Sequence, residues 1–221
     1  MSLLDALKSR YWRWRRERPI SYERRANETV VLCCGDSMTD SAYPMVLQGL
    51  CAAEGLEVAV LNAGVSGHSS AEYLAFVRAR DLFASTRPDA VLLQLGTNDV
   101  RCDYHANTAE DFGRNLRAIA EAALAVRTPT GAQPVLILGT VPPLLSVTRQ
   151  FTEASARRIC AEINPVIAAL AAELGAGMVD NHALLAERPE LLAGNHPTEA
   201  GYDALAQSWF GALKEHLSCA S

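Results

Sequence analysis

The chain has 221 residues, 49% of them hydrophobic and 20% charged, with a formal net charge of −5; this suits one folded domain with a buried core and excludes disorder as its main state. No apolar run approaches the roughly 20 residues needed to span a bilayer, and the acidic balance argues against a general nucleic-acid binder. The charge is uneven: residues 1–25 carry eight bases against three acids, and the remainder twelve bases against twenty-two acids.

That asymmetry marks residues 1–26 as a basic N-terminal extension and residues 27–221 as a single α/β domain. Within the extension, Tyr11-Trp12-Arg13-Trp14-Arg15-Arg16 mixes aromatics with arginines, a pattern suited to peripheral contact with an anionic membrane surface. The plainer reading is a helix that packs its tryptophans on the domain and leaves its arginines solvated.

Strand and helix patterns then alternate. Thr29–Cys34 reads as a buried strand, Tyr43–Glu54 as a helix closed by Gly55, Glu57–Leu61 as a second strand and Ala71–Ala84 as a second helix. Ala90–Leu95 is a third strand. Thr108, with Asp111 three residues on, offers a cap for a helix running to about Val126. Pro134–Leu138 is a fourth strand, Thr152–Leu174 a long helix ended by Gly175, Gly177–Val179 a fifth strand, and Thr198–Leu217 a final amphipathic helix. Short apolar runs without polar alternation suit strands covered on both faces. The expected fold is therefore a three-layer αβα sandwich around a five-stranded, mainly parallel sheet.

Six cysteines are present: Cys33, Cys34, Cys51, Cys102, Cys160 and Cys219. Cys33 and Cys34 are adjacent on a strand and point to opposite faces, and no C-x-x-C zinc spacing occurs. The pattern predicts reduced, buried thiols in a cytoplasmic protein, in keeping with the absence of a signal-peptide stretch. Asp180 and His182 alone are too few ligands for a metal.

In open parallel sheets, ligands bind beyond the carboxyl ends of the strands. The segments that follow the first three strands are Gly35-Asp36-Ser37-Met38-Thr39-Asp40, Asn62-Ala63-Gly64-Val65-Ser66-Gly67-His68 and Gly96-Thr97-Asn98-Asp99; Gly194-Asn195-His196-Pro197 precedes the last helix. Together they supply a hydroxyl, a flexible backbone amide, a carboxamide and an imidazole. Acyl transfer needs these groups: a serine activated by a base of pKa about 6.5, and preorganised donors for the tetrahedral oxyanion. Ser37 and His196 are the candidate nucleophile and base, with Ser37 N–H, Gly64 N–H and the Asn98 amide as donors. Each has a duller reading on its own, Ser37 as a helix cap and Asn98 as a turn residue. Asp36 and Asp99 read as scaffolding, and His68 as a loop histidine. Pro142–Ser146 reads either as a wall of the acyl pocket or as an ordinary packed loop.

Gly35-Asp36-Ser37, Gly64, Gly96-Thr97-Asn98-Asp99 and His196-Pro197 resemble, in order, the four sequence blocks of the SGNH hydrolases, also called the GDSL esterase/lipase family. The resemblance spans roughly residues 29–217. It implies a flavodoxin-like sandwich and hydrolysis of esters without metal or cofactor; the expected substrate is a short or medium acyl ester, acetyl among them, with small-molecule, carbohydrate and lipid esters all left open. It also implies Ser37 as nucleophile, His196 as base, and Gly64 and Asn98 as oxyanion donors beside the Ser37 amide.

One position departs from the family pattern. Where D-x-x-H is usual, this chain has Ala193-Gly194-Asn195-His196, so the orienting carboxylate is replaced by a methyl group. Three explanations are open: a backbone carbonyl orients His196 in a Ser–His dyad; Asp180 or Glu190 reaches it; or Ala193 is a substituted acid and the triad is disabled. An impaired or non-catalytic binding protein on the same scaffold, or an acyltransferase, is the alternative function.

Overall fold

The computed structural model describes residue 20, residues 22–103 and residues 107–218. The Trp12–Trp14 reading and Cys219 fall outside the described residues. Five strands, β1 (Thr29–Gly35), β2 (Val58–Gly64), β3 (Ala90–Gln94), β4 (Val135–Gly139) and β5 (Gly177–Val179), form one sheet in the order β2-β1-β3-β4-β5. All four pairings are parallel. This is the expected α/β sandwich. Its central strands β1 and β3 are almost wholly buried, which is why they carry no polar alternation.

The helices, in chain order, are α1 (Ser37–Asp40), α2 (Tyr43–Ala53), α3 (Ser70–Arg80), α4 (Leu82–Thr86), α5 (Ala109–Ala125), α6 (Glu153–Arg158), α7 (Asn164–Leu174), α8 (Asn181–Ala186) and α9 (Glu199–Ser218). One core gathers Cys34, Leu32 and Leu93 from the sheet against Tyr73, Phe112, Leu116 and Ile167. The other gathers Cys33, Val31 and Leu92 against Leu47, Leu205 and Trp209. The adjacent cysteines therefore serve opposite faces. Cys33, Cys34 and Cys51 are free and buried, but Cys102 and Cys160 are free and exposed, which corrects the expectation that the thiols are all buried.

Local chemistry sets several boundaries. Thr108 and Asp111 close a reciprocal capping box at α5, as expected. The helix expected over Ala71–Ala84 breaks at Asp81, which adopts a left-handed conformation (φ 47°) and divides α3 from α4. The helix expected over Thr152–Leu174 contains a π turn at Ile159–Ile163, where Asn164 N–H bonds back to Ile159 O. Pro165, in the first turn of α7, has no N–H to continue the ordinary ladder.

Residues 22–28 are tied down at the amino ends of the strands. Tyr22 Oη donates to Glu28 Oε2 at 2.5 Å, and Arg24 pairs with Asp89 at 2.5 Å. The basic lead thus joins the domain at the edge of the sheet opposite Gly35, Gly64 and Gln94. Among the described residues, no helix is long and apolar enough to cross a membrane.

Candidate active site

β1 delivers Gly35, Asp36 and Ser37 to the carboxyl edge of the sheet. Gly35 stands where β1 meets β3 and α1, and a Cβ there would lie 2.4 Å from Gln94 O and 2.2 Å from Thr39 Oγ1. Only glycine allows that approach. Asp36 caps α1 by accepting from Met38 N–H at 3.0 Å. Burial pushes Asp36 up to about 6, against the stabilising Met38 bond. Ser37 opens the helix with its side chain at the surface, and its Oγ lies 3.0 Å from His196 Nε2.

The imidazole arrives from the far end of the chain. Leu192–Ala193 and His196–Pro197 form a two-residue antiparallel ladder, β6 and β7, in which Ala193 pairs with His196. Gly194 takes the left-handed conformation of the turn (φ 68°). Asn195 is buried, and its carboxamide accepts from Ser146 N–H at 2.8 Å and donates to Ser146 O at 2.9 Å. Partial burial lowers the pKa of His196 below the ordinary 6.5, which favours the neutral imidazole that a base requires.

His196 Nδ1 meets no hydrogen-bonding partner among the described residues. Both suggested acids are engaged elsewhere. Asp180 accepts from Thr140 Oγ1 at 2.8 Å and caps α8 through Ala183 N–H at 3.0 Å, and Glu190 lies 3.6 Å from Arg188. No carbonyl of the 194–195 turn reaches the ring either. Among the described residues, neither a carbonyl nor a substitute acid meets the ring. The imidazole is positioned by the ladder, by the Asn195 clamp and by Ser37.

The remaining expected donors occupy adjoining loops. Asn98 is buried at the end of β3 and donates one Nδ2–H to His68 O at 3.0 Å, leaving its second N–H for another acceptor. Asp99 secures this segment. It accepts from the Ser70 hydroxyl at 2.5 Å, from Ser70 N–H and from Asn107 Nδ2 at 2.6 Å. Burial raises its pKa, and the Ser70 and Asn107 bonds oppose that rise. Gly64, the expected glycine donor, ends β2. Its N–H donates to Asn62 Oδ1 at 2.9 Å, and a Cβ there would lie 2.2 Å from Asp40 N. In this structure the amide is occupied, and the missing side chain lets β2 pack on α1.

Gly67, three residues on, was not singled out from sequence. It has φ 83° and open space around its Cβ position, and its N–H meets no acceptor among the described residues. The next residue's carbonyl is the one that Asn98 holds. The signal was a second glycine in the same loop.

His68 lies edge-on to Tyr73 and Phe76, at centroid distances of 6.4 and 6.1 Å. A cavity of about 790 Å³ opens beside His196, lined also by Asp103, Ser146, Thr148, Arg149, Gln150, Phe151, Gly194 and Asn195. Of the Pro142–Ser146 stretch, Ser146 lines this cavity. No cluster of three potential metal ligands occurs among the described residues.

A family model described as the GDSL-like lipase/acylhydrolase family matches residues 33–204. The chain is 27% identical over 214 aligned positions to an acetylxylan esterase of Xylanibacter ruminicola, covering 83% of this chain and 43% of that protein; it thus spans less than half the length of that relative. It is 28% identical to the esterase TesA of Pseudomonas aeruginosa, covering 79% of this chain and 90% of that protein. Among solved structures, a lipase/acylhydrolase from Enterococcus faecalis superposes with a TM-score of 0.70 at 25% identity, over 85% of this chain and 96% of that one. A carbohydrate acetylesterase family member from Sinorhizobium meliloti shares the fold, with a TM-score of 0.71 at 19% identity over 86% and 99% of the two chains.

Proposed function

Because the chain belongs to the GDSL-like lipase/acylhydrolase family and is a hydrolase of ester bonds, we propose that it cleaves short acyl esters, acetyl among them, through an acyl-enzyme on Ser37. The observation that carries this reading is the 3.0 Å approach of Ser37 Oγ to His196 Nε2. At that distance the neutral imidazole takes the hydroxyl proton as Oγ attacks the carbonyl carbon. The tetrahedral adduct collapses, the alkoxide leaves with the proton from the imidazolium, and a water activated by the same imidazole releases the acid.

The oxyanion is received by the Ser37 N–H and the free N–H of Asn98, losses of such donors costing on the order of 10²–10³ in rate. For the glycine amide we favour Gly67. Gly64 would serve only after leaving Asn62 Oδ1, whereas the Gly67 N–H is unengaged among the described residues and adjoins the carbonyl held by Asn98. Support for an acetylated carbohydrate as substrate comes from the acetylxylan esterase relative and from the cavity beside His196, where the alcohol part would sit.

The empty Nδ1 side of His196 favours a second reading, a weakened enzyme that mainly binds its ligand. Turnover of p-nitrophenyl acetate separates the two. The hydrolase reading expects a rate well above that of Ser37→Ala and of His196→Ala; a wild-type rate equal to both variants overturns it.

A further inference from the structure

A second nucleophile faces an imidazole near the same edge of the sheet. Cys160 Sγ lies 3.5 Å from His182 Nε2, while His182 Nδ1 lies 2.9 Å from Val141 O. A carbonyl oxygen can only accept, so Nδ1 carries the ring proton and Nε2 presents its lone pair to the thiol. The partner residues are themselves held. His182 N–H donates to Thr140 Oγ1 at 2.9 Å, and Asn164 engages both Val141 N–H (2.8 Å) and Val141 O (3.2 Å). Cys160 is the second residue of the π turn, a conformation often found at functional sites. The turn buries Ile159 and Ile163 and leaves the cysteine exposed.

The other described thiols lack this arrangement. Cys33, Cys34 and Cys51 are buried, and burial pushes each thiol up. Cys102 is exposed like Cys160, but its Sγ contacts two carbonyl oxygens, Gln150 O at 3.2 Å and Arg149 O at 3.4 Å. A carbonyl oxygen accepts a hydrogen bond but is no base for a thiol, whereas a neutral imidazole is one.

We propose that Cys160, with His182 as its base, is a thiol-modification site for low-molecular-weight disulfides. His182 Nε2 receives the thiol proton as Cys160 Sγ attacks one sulfur of the disulfide RSSR. A Cys160–S–S–R bond forms, the S–S bond of the reagent breaks, and RS⁻ departs and takes the proton from the imidazolium to leave as RSH. One disulfide replaces another, so no further oxidant is needed. The site is separate from Ser37 and does not depend on its role.

The test exposes the folded protein to glutathione disulfide and scores each cysteine by peptide mass mapping over time. Cys160 should form its adduct about tenfold or more faster than Cys102. His182→Gln should bring Cys160 down to the Cys102 rate, while Cys33, Cys34 and Cys51 stay unmodified and report an intact fold. Equal rates at Cys160 and Cys102 in the wild-type protein would overturn the proposal. So would a Cys160 rate that ignores His182→Gln in a folded variant. If that variant exposes the buried thiols, the wild-type ratio of Cys160 to Cys102 decides alone.

Discussion

Asn195 closes two hydrogen bonds on the backbone of Ser146, accepting from its N–H at 2.8 Å and donating to its carbonyl at 2.9 Å. The amide thus locks the turn between Ala193 and His196 onto the loop that follows β4. No acid meets His196 among the described residues, and this clamp bears on the turn that carries the ring. It fixes the backbone that carries the imidazole rather than the imidazole itself.

Removing the clamp should therefore cost catalysis more than binding. Asn195→Ala is expected to lower kcat by about tenfold or more with KM within a few-fold, since loss of orientation affects the reacting geometry. Asn195→Asp keeps the acceptor for Ser146 N–H and loses the donor, so it should fall between. Steady-state kinetics on a soluble ester check both variants.

Asn98→Ala should lower kcat by about 10²–10³ with a modest change in KM, because its free N–H strengthens its bond as charge develops on the carbonyl oxygen. The variant also frees His68 O. A melting curve close to that of the wild type would show that the loss is chemical. An unchanged kcat, with chemistry shown to limit turnover, would remove Asn98 from the mechanism.

The pH profile carries the signature of the missing acid. Burial lowers His196 below its ordinary 6.5, and no carboxylate among the described residues raises it again. The imidazole stays neutral and active as pH falls through 6.5, and the acid limb of kcat/KM should have its midpoint below that value. Asp36, pushed up to about 6 by burial, titrates nearby, so Asp36→Asn is the control and should leave the limb in place. In Ala193→Asp the new carboxylate stands across the ladder from His196, where opposed Cβ atoms are about 5 Å apart. It should favour the imidazolium, move the limb upward, and raise kcat by at least about tenfold, with a ceiling near 10⁴.

Gly64→Ala should lower the melting temperature rather than act selectively on kcat. The added Cβ would fall 2.2 Å from Asp40 N, on backbone that cannot swing aside. A folded, fully stable Gly64→Ala with depressed kcat would return the oxyanion amide to Gly64.

The sequence carried the sheet well, because each central strand is a short apolar run buried on both sides, and Gly35-Asp36-Ser37 follows the first of them. It concealed the ladder at Leu192–Pro197, since strands of two residues have no period to detect. It also concealed the break at Asp81, which depends on one left-handed residue. Choosing between Gly64 and Gly67 required knowing that the Asn62 side chain folds back on the Gly64 N–H. The empty Nδ1 of His196 was equally out of reach, because Asp180 and Glu190 are close in sequence but committed to Thr140 and Arg188. The exposure of Cys160 came from a π turn that periodicity reads as ordinary helix.

The account stands most directly on the identity of the nucleophile, and covalent capture measures it. A p-nitrophenyl alkylphosphonate should add one group per chain, mapped by peptide mass spectrometry to Ser37. His196→Ala should slow the addition strongly, and Ser37→Ala should abolish it. Stoichiometric labelling of another residue, or an active sample that resists labelling at Ser37, would contradict the account.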